Sequence, residues 1–184
     1  MSEKRTNKTI TLGSGKLYLS EFTGEMPTDL KALAVDGNLI GLIQGGASLE
    51  YKPEYYTAED DMGLVKKTIM TKEEAILKSG IMTWNGNTFK KLTPTARVSE
   101  TAAKRTVKIG GAGNQDGKSY VVIFVHEDRV DGDVLVAIVG KNTAGFTAAF
   151  AKDKETVIDA EFKAQPCDNE GTLIIYEETL VESA

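Results

Sequence analysis

The residues with the richest apparent chemistry run from Gly111 to Ser119, GAGNQDGKS, where Gly117-Lys118-Ser119 reproduces the end of a phosphate-binding loop. Such a loop needs G-x-x-x-x-G-K-[ST] opening a helix, so that backbone amides wrap the phosphates and the lysine reaches the outer one. Here Ala112 stands at the first glycine position, and Ser119 leads into the β-rich run Tyr120 to Val125. A hairpin loop explains these glycines better than a nucleotide does. Gly13-Ser14-Gly15-Lys16 is a weaker match, lacking the hydroxyl residue and continuing into Leu17-Tyr18-Leu19. His126 is the only histidine and Cys167 the only cysteine, so Cys–His catalysis would require these two to meet, with no local signature. A zinc site would have to draw its remaining ligands from carboxylates. His126 therefore reads as a surface or capping residue at a strand end. Glu127 to Asp133, EDRVDGD, lacks the D-x-[DN]-x-[DN]-G order of a calcium loop and reads as a solvated turn. Trp84, Phe89 and Leu92 offer a stacking patch, but such a trio more often pins a short helix onto a sheet, the reading adopted here. No residue is assigned a catalytic, cofactor-binding or metal-binding role, and the expectation is a protein that is not an enzyme.

The elements that would position these groups are mostly strands. Val, Ile, Thr and Tyr concentrate in short runs separated by Gly, Asn and Asp, and eighteen glycines are spread along the chain. Residues 8–12 and 16–22 alternate around Gly13-Ser14-Gly15, as a hairpin or a bent strand would, and 26–35 is weakly helical or irregular. Asp36-Gly37 is a hairpin-type turn signal before the apolar run 38–43. Residues 47–51 alternate, with Leu49 on one face. Residues 52–63 show no sustained period; with Pro53, Tyr55, Tyr56, Glu59, Asp60 and Asp61 they read as an extended loop, of a length that tends to be functional. Residues 71–80 are ambiguous. Thr71 and Glu74 form a capping box and Gly80 could end a helix, yet 69–84 also reads as one strand interrupted at Ser79-Gly80, and the strand is the preferred reading. A helix is expected over 87–92, capped by Asn85 or Asn87 and stopped by Pro94. Beyond Pro94, strands are expected at 105–109, 120–126, 134–139, 156–162 and 173–176, with turns at Gly110 to Lys118 and Asp131-Gly132. Regularly spaced antiparallel strands make a sandwich or barrel.

With 184 residues and 41% apolar content the chain can bury one sizeable core as a single domain. The N-terminus lacks the apolar core of a signal peptide, and no run approaches the roughly 20 apolar residues that span a bilayer. No membrane partner is expected, and synthesis in a reducing cytoplasm fits the single cysteine. The net charge of −5 conceals an asymmetry. Residues 153–184 carry −7, whereas 90–118 carry +5 through Lys90, Lys91, Arg97, Lys104, Arg105, Lys108 and Lys118 against Glu100 and Asp116. These are either solvated faces of different strands or complementary surfaces that meet between copies, with Lys104, Arg105 and Lys108 facing Glu177 and Glu178.

The stretch Gly41 to Gly86, GLIQGGASLEYKPEYYTAEDDMGLVKKTIMTKEEAILKSGIMTWNG, orders a strand, a Tyr- and acid-rich loop, a returning strand and an apolar segment ending at the only tryptophan. In this order it resembles the tail tube, or major tail, proteins of bacteriophages, a family related in fold to the tubes of type VI secretion and contractile injection machines. The resemblance covers most of the chain but is specific only over 41–92. It implies a mainly β fold, an antiparallel sandwich or barrel of that type flanked by one short helix, with a flexible N-terminal arm over about 1–8. It implies a structural virion protein whose copies form hexameric rings stacked head to tail, the conduit for DNA delivery. Its partners would be itself, a tape-measure protein, and tail initiator and terminator proteins, with DNA passing through the lumen without specific binding. Its place would be the host cytoplasm during assembly, then the virion tail. The loop with Tyr55, Tyr56, Glu59, Asp60 and Asp61 would reach a neighbouring subunit. The rival expectations are a β-sandwich binding module, for virion decoration or carbohydrate, and a nucleic-acid binder using 90–118. The latter segment has no aromatic residue to stack bases.

Overall fold

A computed structural model describes residues 5–179. The strands are β1 (Lys16–Glu21), β2 (Leu39–Gly41), β3 (Ile43–Glu59), β4 (Lys66–Ile81), β5 (Arg97–Glu100), β6 (Arg105–Lys108), β7 (Tyr120–His126), β8 (Val134–Asn142), β9 (Ile158–Gln165) and β10 (Ile175–Glu178), with helix α1 (Gly86–Leu92) after β4. The fold is mainly β, built on an eight-stranded antiparallel sheet in the order β2-β1-β7-β8-β9-β4-β3. The tenth strand, β10, shares one edge of β8 with β9, taking Val134 to Ala137 while β9 takes Val139 to Asn142. Strands β5 and β6 form a separate hairpin.

The two ends of that strand order, β2 and β3, are consecutive in the chain with only Leu42 between them. The sheet therefore curls back on itself. Leu42 holds the seam: its amide donates to Thr83 Oγ1 at 2.7 Å, and its carbonyl accepts from Met82 at 2.8 Å. Gly41 makes this approach possible, because a Cβ there would lie 1.9 Å from the Thr83 carbonyl oxygen, on a backbone with φ of +153°. Gly41→Ala must force the seam apart. A loss of about 1–3 kcal/mol is expected, read as a lower urea midpoint at unchanged m.

Alternation along the strands gives the sheet two apolar faces. The inner one holds Leu17, Leu19, Leu77, Ile81, Val122, Ile138, Ile158 and Phe162, and α1 closes it with Leu92. The outer one holds Tyr18, Val121, Ile123, Leu135, Ala137 and Val139, covered by Leu30, Cys167 and the partly buried Phe22, Met26 and Ile175.

Helix α1 forms where its capping residue dictates. Asn85 Oδ1 accepts from the amides of Asn87 and Thr88, and Thr88 Oγ1 accepts from the Asn85 amide, a reciprocal cap. Trp84 and Phe89 stack edge to face at 5.1 Å, and Trp84 Nε1 donates to the Thr156 carbonyl at 3.2 Å. The buried Asn142 ties the inner layer together: Nδ2 donates to the carbonyls of Leu92 and Gly145, and Oδ1 accepts from the Glu161 amide.

Several expectations are corrected. Residues 69–84 are strand only to Ile81, and the strand starts earlier, at Lys66. Residues 8–12 hold no strand, so β1 starts at Lys16 without a hairpin partner before it. Residues 52–59, expected as loop, are strand, and only 60–65 turn. His126 is buried rather than at the surface, with Nδ1 2.8 Å from the Ser14 carbonyl. Lys91, counted with the basic surface, turns inward. Its ammonium donates to the carbonyls of Leu19, Gly37 and Asn38, and burial pushes its pKa down. Of the arm expected to be flexible, residues 1–4 lie outside the described residues, while the Arg5 guanidinium donates to the Gly132 carbonyl at 3.1 and 3.2 Å.

Candidate functional site

The feature that stands apart from this body is the far end of the β3–β4 hairpin. Strand β9 pairs with β4 only from Ile76 to Ile81, so Lys52 to Glu59 and Lys66 to Glu74 continue as a free two-stranded ribbon. At about 3.4 Å per residue its eight-residue strand extends roughly 27 Å. A two-stranded hairpin alone in water is marginally stable, and this one lacks a buried face.

Among its charged residues it displays large apolar side chains. Tyr55 and Met70 pair across one face and Tyr56 and Ile69 across the other, all about half exposed or more. At the tip Met62, Leu64 and Val65 are 79%, 77% and 70% exposed. Such a concentration on one projection is the kind that marks an interaction surface. The ribbon's own order comes from small polar devices. Thr57 and Thr68 hydroxyls lie 2.9 Å apart, and Tyr51 donates to Glu73 at 2.7 Å. Thr71 is the extra residue of a bulge, since Glu54 faces Lys72 and Tyr55 faces Met70. Asp60 ties the tip: its carboxylate accepts from the amides of Val65, at 2.6 Å, and Met62, and these bonds hold its pKa below the usual range.

Of the five residues expected in the reaching segment, Tyr55, Tyr56 and Glu59 therefore lie on β3, and Asp60 and Asp61 in the turn. Among the described residues Glu59 and Asp61 hold no ion pair. Sequence reasoning missed the other half of the site, Met62, Leu64, Val65, Ile69 and Met70. Their density of large apolar residues between Asp61 and Thr71 was the available signal.

At its base the ribbon carries a charge ladder that runs onto β9. Glu50 meets Lys52 and Lys78, Lys78 meets Glu161 at 3.4 Å, Lys72 bridges Glu54 and Glu74, and Lys163 meets Glu74 at 3.1 Å. The hydrogen bond from Lys163 lowers the Glu74 pKa, and that from Lys52 lowers the pKa of Glu50. Each cation has a carboxylate beside it, so the ladder presents no net positive strip.

The other candidates resolve into structural roles. Trp84, Phe89 and Leu92 lie at the helix–sheet contact, with Leu92 buried. Lys104, Arg105 and Lys108 sit on or beside β6, where Arg105 pairs with Glu100; Glu177 and Glu178 sit on β10, where Glu178 accepts from the Tyr176 hydroxyl at 3.1 Å. No ion pair joins the two sets among the described residues. The phosphate-loop lookalike contains a short 3₁₀ turn over Ala112–Asn114 and then β7, so it opens no helix. Among the described residues no group of three or more His, Cys, Asp or Glu is arranged to hold a metal ion.

The acidic cluster 127–133 is a self-capped turn. Asp128 accepts from the amides of Asp131 and Val130, which depress its pKa, and Arg5 lies beside it at 3.7 Å. A carboxylate depressed by folding contributes stability above its unfolded pKa, and that contribution is lost as pH falls through the folded value. Acidification below about pH 4 is therefore expected to release Arg5 and this turn. Tm measured against pH should fall on the acid side more steeply for the parent than for Asp128→Asn.

Comparison with known proteins brings no assignment to the chain: no family model matches it, and no curated protein matches its sequence.

Proposed function

We propose that this protein is a structural subunit that assembles with copies of itself into a tube, as in phage tail tubes, through stacked rings of six. The single observation that carries this reading is the ribbon: two strands without a sheet to cover them, ending in three exposed apolar side chains. Such an element gains its stability from contact with another molecule. The edges agree with it, since β3 along 52–59 and β4 along 66–74 offer unpaired backbone groups on their outer sides. In a monomer these are an aggregation hazard; in a ring they join one copy to the next. The ladder from Glu50 to Lys163 suits a wall along which DNA passes, because its lysines are matched by carboxylates and would not retain phosphates. Catalysis has no part in this reading, and the tape-measure, initiator and terminator partners belong to it only by resemblance.

The test is negative-stain electron microscopy of the purified protein over a concentration series, with light scattering alongside. Hollow rings or tubes of uniform width are expected. Compact particles of one size at every concentration would overturn self-assembly and favour a binding module instead.

A further inference from the structure

The basic segment 90–118 does not fold into one surface. Lys91 turns inward, Lys118 pairs with Glu21, and Arg105 pairs with Glu100. The side chains of Lys90, Arg97, Lys104 and Lys108 hold no ion pair and no hydrogen bond among the described residues. Two of these four are brought face to face, because β5 and β6 pair Arg97 with Lys108 and Ser99 with Thr106. Opposed residues of an antiparallel pair share a face, as do alternate residues along each strand. Arg97, Ser99, Thr106 and Lys108 therefore form one face of the hairpin, and Val98, Glu100, Arg105 and Val107 the other. The second face is turned to α1, since a Cβ added at Gly86 would meet Arg105 Cδ at 2.6 Å and Val107 Cγ2 at 2.9 Å. The first is turned away, with Arg97, Ser99 and Lys108 exposed and Thr106 half-buried.

This arrangement works against the hairpin that carries it. Like charges directly opposite one another destabilise a pair of strands, and a two-stranded hairpin has little stability to spare. Over 97–108 four cations stand against one carboxylate, in a chain whose net charge is −5. That carboxylate, Glu100, lies on the other face and is taken by Arg105. An anion held between Arg97 and Lys108 removes the conflict, and the chemistry of the face selects which anion. It has no apolar side chain, whereas a contact with another protein is centred on apolar and aromatic anchors. Long cations beside short hydroxyls are the donors that hold phosphate oxygens, and nucleic-acid interfaces are polar and strongly positive. No aromatic residue lies between Phe89 and Tyr120 to stack an unpaired base. The face therefore suits the backbone of a duplex.

We infer that the outer face of the β5–β6 hairpin, through Arg97 and Lys108 with Ser99 and Thr106 beside them, binds the phosphate backbone of double-stranded DNA without reading its sequence. This contact goes beyond the assembly reading and does not depend on it. It also belongs to a different hairpin from the ladder of matched charges, so one surface of the subunit holds phosphates while the other leaves them free to pass.

The experiment is fluorescence anisotropy of a labelled DNA duplex of mixed sequence, titrated with the full chain at salt from about 50 to 200 mM. Each phosphate neutralised adds about −0.9 to the slope of log K against log salt. The double variant Arg97→Gln/Lys108→Gln is expected to bind at least tenfold more weakly at the lowest salt and to lose about 2 from the slope. Its Tm should hold or rise, because a like-charge pair has been removed. Lys66→Gln/Lys67→Gln, which removes two cations from the ribbon, should bind as the parent does. A parent that does not bind the duplex at the lowest salt would overturn the inference, and so would equal affinity and slope in parent and hairpin variant. An equal loss in the ribbon variant would show that only overall charge matters. Polyglutamate competing as well as the duplex would overturn the choice of phosphate in favour of an acidic protein.

Discussion

Replacing Met62, Leu64 and Val65 together by serine is expected to abolish polymers while leaving the Tm of the isolated subunit essentially unchanged. The two halves of this expectation have one cause. The three side chains are 70–79% exposed, so they contribute almost nothing to the subunit's own core. Seated on a partner, each would contribute about 1.5–3 kcal/mol. Even with half of that realised, their loss weakens association by about 2–4 kcal/mol per contact, a shift of roughly 30- to 1000-fold in the dissociation constant. An assembly that makes this contact once per copy cannot absorb such a change. Light scattering of parent and variant across a concentration series measures the shift. Equal assembly by both proteins would sink the view that the tip is the adhesive element, and a large fall in Tm would show that it belongs to the subunit's own fold.

The second large effect lies in the body. Asn142→Leu keeps the side chain's bulk and removes all its hydrogen bonds, leaving the Leu92 and Gly145 carbonyls and the Glu161 amide without this partner. A buried polar group left unpaired costs about 1–3 kcal/mol; the Leu92 bond is buried, while the Gly145 and Glu161 partners lie where water can reach them, so a loss of roughly 2–4 kcal/mol is expected. At about 2–4 °C per kcal/mol for a chain of this size, Tm should fall by roughly 4–16 °C. Because Asn142 bonds the end of α1, the loop after β8 and β9 at once, protection from amide exchange should drop at Glu161 and across α1 together. A change confined to one of these three segments would contradict the view that one side chain couples them.

What the sequence disclosed depended on burial. Strands β7 and β8 have residues packed on both faces, and their apolar runs were plain. Helix α1 was legible because Asn85 and Pro94 bracket it with chemistry that acts locally. The Thr71–Glu74 capping box misdirects because it too is local. Thr71 is a bulge residue and Glu74 a salt-bridge partner of Lys163, roles set by strands far off in sequence. The segment 52–63 reads as loop for a related reason. A period of two is imprinted by a core on one face, and a strand that touches no core carries no imprint. Strand β5, exposed in its own hairpin, escaped notice in the same way. Asn142 and Lys91 gave no sign at all, since a single polar residue reveals its partners only once the chain has folded.

The pairing of β1 with β7 joins residues about a hundred positions apart, from Lys16 with Val125 to Glu21 with Tyr120. The β3–β4 hairpin, by contrast, closes on a six-residue turn. On a ribosome adding about 5–20 residues per second, the hairpin can form some 3–10 seconds before β7 is synthesised. For that interval the chain displays its apolar ribbon while β1, with only the short β2 as a partner, waits for the strand that will complete the body. If the ribbon joins copies as proposed, growing chains on one messenger would be exposed to premature cross-association, and a cell making this protein in bulk would have reason to keep them apart.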